Sequence, residues 1–260
     1  MPHGSLTVVG TGIRLGIQLT PEARIAIELA DELLHLTSEP VAGRWLDGLH
    51  AHTSNLQSEY RVGDSREAIY ERIVERILAP VRAGRRVTAA FYGHPGVYVR
   101  PSHEAVRRAR AEGHDARMLP AISAEDCLYV DLGVDPATTG CASYDATDFL
   151  LRNPTIDTAS ALVLWQITVI GDATAVDETA LRTDNLPVLV ERLAQDYPRD
   201  HGVVVYEAAP YPIVDPLIQH LRLDDLPAAA PSPLATLYVP PATVRPFDPE
   251  MVARLGFTTH

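Results

Sequence analysis

Apolar and polar positions along this chain follow two rhythms. Short runs rich in β-branched residues read as strands: "LTVVG" (6–10), "VTAAFYG" (87–93), "ALVLWQIT" (161–168), "VVVYEA" (203–208) and "ATLYVP" (235–240). Between them, apolar residues recur at helical spacing over 21–35, 66–82, 102–112, 123–132 and 185–196, and more weakly over 214–222. Strands alternating with helices predict an α/β protein with largely parallel sheets. Continuous apolar runs such as "ALVLW" predict strands buried on both faces.

The segment 66–82 carries the clearest helix signal. Asp64 or Ser65 stands before it as an N-cap, and Ile69, Ile73, Val74, Ile77, Leu78 and Val81 form one apolar stripe. At "RMLPAIS" (117–123) a short strand ends, Pro120 follows, and a new helix begins. The expected division is therefore an N-terminal α/β domain over 1–120 and a C-terminal α/β domain over 121–260. The proline-rich "LPAAAPSPLATLYVPP" reads as an edge loop before the last strand, and no internal repeat is visible.

Composition narrows the function. The chain has 260 residues, 46% of them hydrophobic, and a formal net charge of −12. A uniformly acidic protein repels phosphate backbones, so nucleic acid is not an expected partner. Two basic strips, Arg82, Arg85 and Arg86, and Arg107, Arg108 and Arg110, read as solvated helix faces. Two cysteines, Cys127 and Cys141, are too few for a disulfide framework or a thiolate metal site. "MPHGSLTVVG" lacks the pattern of a signal peptide, and no apolar run approaches the ~20 residues of a membrane helix. A cytoplasmic protein with no membrane partner is the expectation.

Several short motifs carry possible chemistry. "VVGTGI" is a lone G-x-G whose third glycine, Gly16, falls one position late for dinucleotide spacing. A tight strand-to-helix turn is the better reading. "FYGHPGVYVRPSH" (91–103) places an abrupt turn after a buried strand, where parallel α/β sheets bind ligands. His94 and His103 lack further ligands at metal spacing, so no metal is expected; His94 reads as a loop residue beside a ligand or as a structural one. Ser123 reads as an N-cap with Glu125 and Asp126 behind it, or as a small residue, with Ala124, admitting a ligand to the backbone.

The block "FYGHPGVYVRPSHEAVRRARAEGHDARMLPAISAEDCLYVDLGVDP", followed by "GCASYDATDFL" and "LVLWQ", resembles the borosin-type peptide α-N-methyltransferases, a branch of the tetrapyrrole methylase superfamily. The resemblance runs from about Leu6 to Leu255. It implies two α/β domains with S-adenosylmethionine (SAM) in the cleft between them and S-adenosylhomocysteine as product. It further implies cofactor contacts at Tyr92, His94, Val97, Ser123, Ala124, Gln166, Ala208, Ala235 and Thr236, and a catalytic group of Tyr60, Arg66, Tyr70 and Tyr92.

The chemistry suits those residue types. An amide nitrogen is a poor nucleophile because its lone pair is delocalised into the carbonyl. A free phenol, with a pKa of about 10, is a weak base at neutral pH, and a guanidinium in contact favours its ionised form. Arg66 and Tyr70, at i and i+4, share a helix face. Either Tyr60 or Tyr70 could take the amide proton while the other groups hold the carbonyl oxygen. On spacing alone the better reading is Tyr70 as a core residue and Arg66 as a surface partner of Glu67 or Glu71.

Fused members of the family carry a clasp region and a C-terminal substrate tail. No hydrophobic core peptide follows "FDPEMVARLGFTTH" here, which predicts a separate precursor peptide methylated in trans. The family's assembly implies a homodimer, or a heterotetramer with the precursor. Two other readings stay open: a tetrapyrrole or other small-molecule methyltransferase, and a non-catalytic partner that binds SAM or peptide.

Overall fold

The structure is a computed structural model that describes residues 3–37, 39–61, 63–172, 174 and 183–257. By its contacts the chain forms two compact units. One comprises Met1–Gly133, Gly171–Ala180 and Glu207–Leu217, and the other Val134–Ile170, Leu181–Tyr206 and Ile218–His260. The division expected at 120/121 falls inside the first of these.

The first unit runs β1 (Ser5–Gly10), α1 (Pro21–Glu28), β2 (Glu32–Leu36), α2 (Pro40–Asp47), β3 (Thr53–Asn55), α3 (Arg66–Arg82), β4 (Arg86–Phe91), α4 (Arg100–Ala111), β5 (Asp115–Met118) and α5 (Ala124–Leu132). Its sheet has the order β3-β2-β4-β1-β5, and every pairing is parallel. The helix expected over 21–35 is corrected here: α1 stops at Glu28 and Glu32–Leu36 is a strand between β3 and β4. Its first four residues are buried, so its apolar run has no alternation to betray a strand. Helix α3 matches its expected bounds. Ser65 Oγ accepts from Ala68 N at 3.2 Å, and the stripe Ile69, Ile73, Val74, Ile77, Leu78 and Val81 is fully buried. Each such side chain contributes about 1.5–3 kcal/mol on burial.

The second unit contains α6 (Pro136–Thr139), β6 (Cys141–Asp145), α7 (Ala146–Arg152), β7 (Ala161–Trp165), α8 (Leu186–Leu193), β8 (Gly202–Glu207), β9 (Leu217–Arg222), β10 (Thr236–Val239) and α9 (Pro249–Leu255). Its sheet order is β6-β7-β10-β8-β9. Strand β6 is parallel to β7, but β10 is antiparallel to both β7 and β8, so this sheet is mixed rather than largely parallel. The weak helix signal over 214–222 is also corrected, since Leu217–Arg222 is the edge strand β9. The proline-rich segment leads into β10, a central strand. Phe149, Leu164, Leu189, Val205 and Leu237 fill the core.

The basic strips are solvated and paired. Arg82 bonds Glu75 and Glu112, Arg86 bonds Asp31, and Arg108 bonds Glu71 and Glu104. Of these, Arg82–Glu112 and Arg108–Glu71 lace α3 to the α4 end of the chain across the surface. Hydrogen bonds from Arg107 and then Arg108 hold Glu104 at a pKa of about 2, and Arg108 and Arg82 lower Glu71 and Glu112 in the same way. A carboxylate with a depressed folded-state pKa stabilises the fold above its unfolded pKa and loses that contribution as pH falls. Melting temperature should therefore drop between about pH 5 and about pH 2, and Glu104→Gln should flatten that acid limb. An unchanged slope in the variant would show that the Glu104 pairs within α4 contribute nothing.

Candidate active site

The carboxyl ends of β1 and β4 are zipped together. Gly12 N donates to Gly93 O at 3.2 Å, and Gly93 N donates to Gly12 O at 3.0 Å. Gly10 has no room for a side chain: a Cβ there would stand 2.2 Å from Gly93 O, 2.6 Å from Ala121 Cβ and 2.7 Å from Pro95 Cδ. "VVGTGI" is thus a tight turn, as its spacing suggested, and the crowding around Gly10 brings the 92–97 loop beside the 121–124 segment. Gln18 Oε1 closes the first turn by accepting from Ile13 N at 2.7 Å and Arg14 N at 2.8 Å.

Both histidines of the second loop shape its backbone. His94 Nδ1 accepts from Gly96 N at 3.0 Å, and His103 Nε2 donates to Gly96 O at 2.9 Å. Among the described residues no group of three or more His, Cys, Asp or Glu side chains could hold a metal. Tyr98, in the same loop, has φ 55°, a strained value for a bulky residue that clusters at functional sites. Nothing in its sequence surroundings had singled it out. Ser123 closes a capping box: its Oγ donates to Asp126 Oδ2 at 2.7 Å and accepts from Asp126 N at 3.2 Å. The N-cap reading of Ser123 therefore holds.

Tyr92 leaves β4 into this loop. Although 39% of its surface is exposed, protein surrounds its phenol end; burial, with Glu207 and Cys127 nearby, pushes its pKa up to about 12. A phenol raised in this way stays protonated at physiological pH.

In the second unit, β7 ends at Trp165 and Gln166 turns into the left-handed region with φ 59°. Leu237 pairs with Leu164, and Thr236 pairs with Tyr206. Gln166, Ala235 and Thr236 therefore share one end of the sheet, and Ala208 follows two residues after Tyr206. The expected cofactor residues thus fall in both units: Tyr92, His94 and Val97 beside Ser123 and Ala124, with Ala208, in the first, and Gln166, Ala235 and Thr236 at one strand end in the second.

Tyr60, Arg66 and Tyr70 lie on the 3₁₀ turn and helix that precede β4. Tyr60 ends the turn Leu56–Glu59, and its N donates to Gln57 O at 3.0 Å. Both Tyr60 and Tyr70 are half-buried and pack on the core cluster of α3 and β4. Glu67 and Glu71, the surface partners weighed for Arg66, pair with Arg100 and Arg108. A further residue holds this region together. Arg72 Nη2 donates to Glu59 O at 2.8 Å and to Asp64 Oδ2 at 2.6 Å, clamping the Tyr60 segment onto α3. An arginine in a charged helix carries no sequence signal for that task.

Comparison with known proteins identifies the family. Residues 5–219 match the family model described as Tetrapyrrole (Corrin/Porphyrin) Methylases. The chain is 40% identical over 254 residues to the methyltransferase/ribosomally synthesized cyclic peptide gymnopeptides precursor of Gymnopus fusipes, covering 95% of this chain and 59% of that protein. It is 38% identical over 257 residues to the corresponding omphalotin A precursor of Omphalotus olearius, covering 97% and 61%. The chain thus spans about 60% of the length of these relatives. Among solved structures, uroporphyrin-III-C-methyltransferase from Thermus thermophilus superposes with a TM-score of 0.64 at 20% identity, covering 99% of each chain. Cobalt precorrin-4 methyltransferase superposes with a TM-score of 0.65 at 17% identity, covering 92% and 95%. The fold, the family model and the relatives agree: the chain belongs to the tetrapyrrole methylase family of methyltransferases.

Proposed function

We propose that the chain is a SAM-dependent methyltransferase that α-N-methylates backbone amides of a peptide presented as a separate molecule. The observation that supports it best is that Tyr60 and Tyr70 pack on one core cluster while Arg72 ties the Tyr60 segment to α3, the helix that carries Arg66 one turn before Tyr70. The relatives named as methyltransferase/cyclic peptide precursors point the same way.

In this reading the 92–97 loop, Ser123, Ala124, Ala208, Gln166, Ala235 and Thr236 hold SAM. When bound, SAM supplies an electrophilic methyl group on a sulfonium. The protein's task is to make an amide nitrogen nucleophilic. Tyr60 or Tyr70 takes the amide proton, while Arg66 and the remaining phenol hold the carbonyl oxygen as negative charge gathers on it. Tyr92, held neutral, donates a hydrogen bond and fixes the orientation of its neighbour. Fixing the reactants in one geometry supplies much of the remaining rate. A homodimer, or a heterotetramer with the peptide, is the assembly this reading expects.

The test is mass spectrometry of a candidate precursor peptide co-expressed with the chain, with fragmentation to place each added methyl group. Methyl groups on backbone nitrogens support the reading. Methylation of a porphyrinoid with none on peptide would replace it by the small-molecule alternative. SAM binding without transfer to either would leave a binding partner. Among the described residues no helix is long and apolar enough to cross a membrane.

A further inference from the structure

A narrow crevice opens beside Tyr92, walled by Ile13, Leu15, Ala42 and Leu46. It sits at the carboxyl ends of β1, β2 and β4, the edge where parallel α/β sheets bind ligands. Leu15 N donates to Pro210 O at 2.9 Å, which fixes one wall. Glu39 fixes another: its carboxylate accepts from Val41 N at 3.0 Å and from Ala42 N at 2.5 Å, and Tyr211 hydrogen-bonds it. The crevice is built rather than left over, since both ends of its wall are tied by hydrogen bonds.

Its size and lining select the occupant. The volume is about 30 Å³, and a single water needs roughly 10–15 Å³ on that measure. Two or three such groups is the bulk of an alanine-to-valine side chain, far below an indole or a macrocycle. Thr11, Thr37 and Glu39 also reach its lining, but most of the surface it exposes is apolar and offers water few partners, so an apolar group is preferred over solvent.

We infer that this crevice is a specificity pocket, receiving the small aliphatic side chain of the peptide residue next to the amide presented at Tyr92. The inference rests on the peptide reading and gives it a substrate preference. Ala42, half-buried in the first turn of α2, sets the depth, and Leu15 sets the width.

The test uses N-acetyl N-methylamides of glycine, valine and tryptophan as minimal probes, titrated by NMR into the full chain saturated with S-adenosylhomocysteine. Valine should bind about tenfold tighter than glycine, the discrimination that a few methyl groups give in an apolar pocket, and tryptophan no tighter than glycine. Ala42→Leu should abolish the valine preference, and Leu15→Ala should move it toward larger side chains. Equal binding of glycine and valine, undetectable binding of all three, or a preference unmoved by both variants would overturn the pocket. Should one variant fail to bind S-adenosylhomocysteine, the other variant and the wild-type ranking decide. Because the probes are scored by binding, a pocket that fails here while peptide is still methylated leaves the reaction standing. A valine preference without any methylation would instead remove the reaction and keep the pocket.

Discussion

Tyr70→Phe should lower the single-turnover methylation rate by roughly 10²–10⁴-fold, the range for losing a group that moves or holds a proton in the transition state. Arg66→Ala should cost roughly 10²–10³-fold, as expected for removing one donor to a developing oxyanion. The Phe substitution is the cleaner probe. It keeps the half-buried ring that packs on the α3 core and removes only the hydroxyl. Stability should therefore change by no more than about 1.5 kcal/mol, the value of a single hydrogen bond. Affinity for S-adenosylhomocysteine should stay within a factor of two or so, because the cofactor groups lie on other segments. The measurement is rapid-quench methylation of saturating peptide with calorimetric titration of the product cofactor. A Tyr70→Phe rate equal to wild type would return Tyr70 to the core, as its helical spacing alone permits.

Much of the fold was legible where local pattern and tertiary role coincide. Helix α3 had a capping serine and a single apolar stripe, and both its ends matched. The misses share a cause. The residues Glu32–Leu36 follow an amphipathic helix without a glycine or proline between them, and a strand buried on both faces lacks the two-residue alternation that would mark it. Strand β9 fails the other way: its exposed edge carries leucine, isoleucine, glutamine and histidine with no burial to select a face. "ALVLWQIT" ends early because Gln166 takes a left-handed backbone that only the tertiary structure imposes. The candidate site residues come from family resemblance rather than from spacing. The Glu39–Tyr211 contact joins distant parts of the chain, and Arg72 reaches back to Glu59 and Asp64 outside any helical spacing, so no local pattern announces either.

Arg72 carries the second large expected effect. Its guanidinium reaches a carbonyl before Tyr60 and a carboxylate just before the α3 cap, so one side chain sets the distance between the Tyr60 segment and the helix of Arg66 and Tyr70. Arg72→Ala frees that segment without touching the reacting groups, and should reduce kcat by roughly tenfold to a hundredfold, since a displacement of about 1 Å can cost that much. The loss of charge-assisted hydrogen bonds should also lower stability by about 1.5–3 kcal/mol. Arg72→Lys separates the two effects. A lysine ammonium keeps the charge beside Asp64, but its shorter stem does not carry a donor to the point from which Nη2 reaches both acceptors, so stability should recover more than kcat. Steady-state kinetics with urea unfolding of both variants would decide it. If KM for SAM rises while kcat holds, or if lysine restores both quantities equally, Arg72 supports the fold alone and the distance from Tyr60 to α3 is set by other contacts.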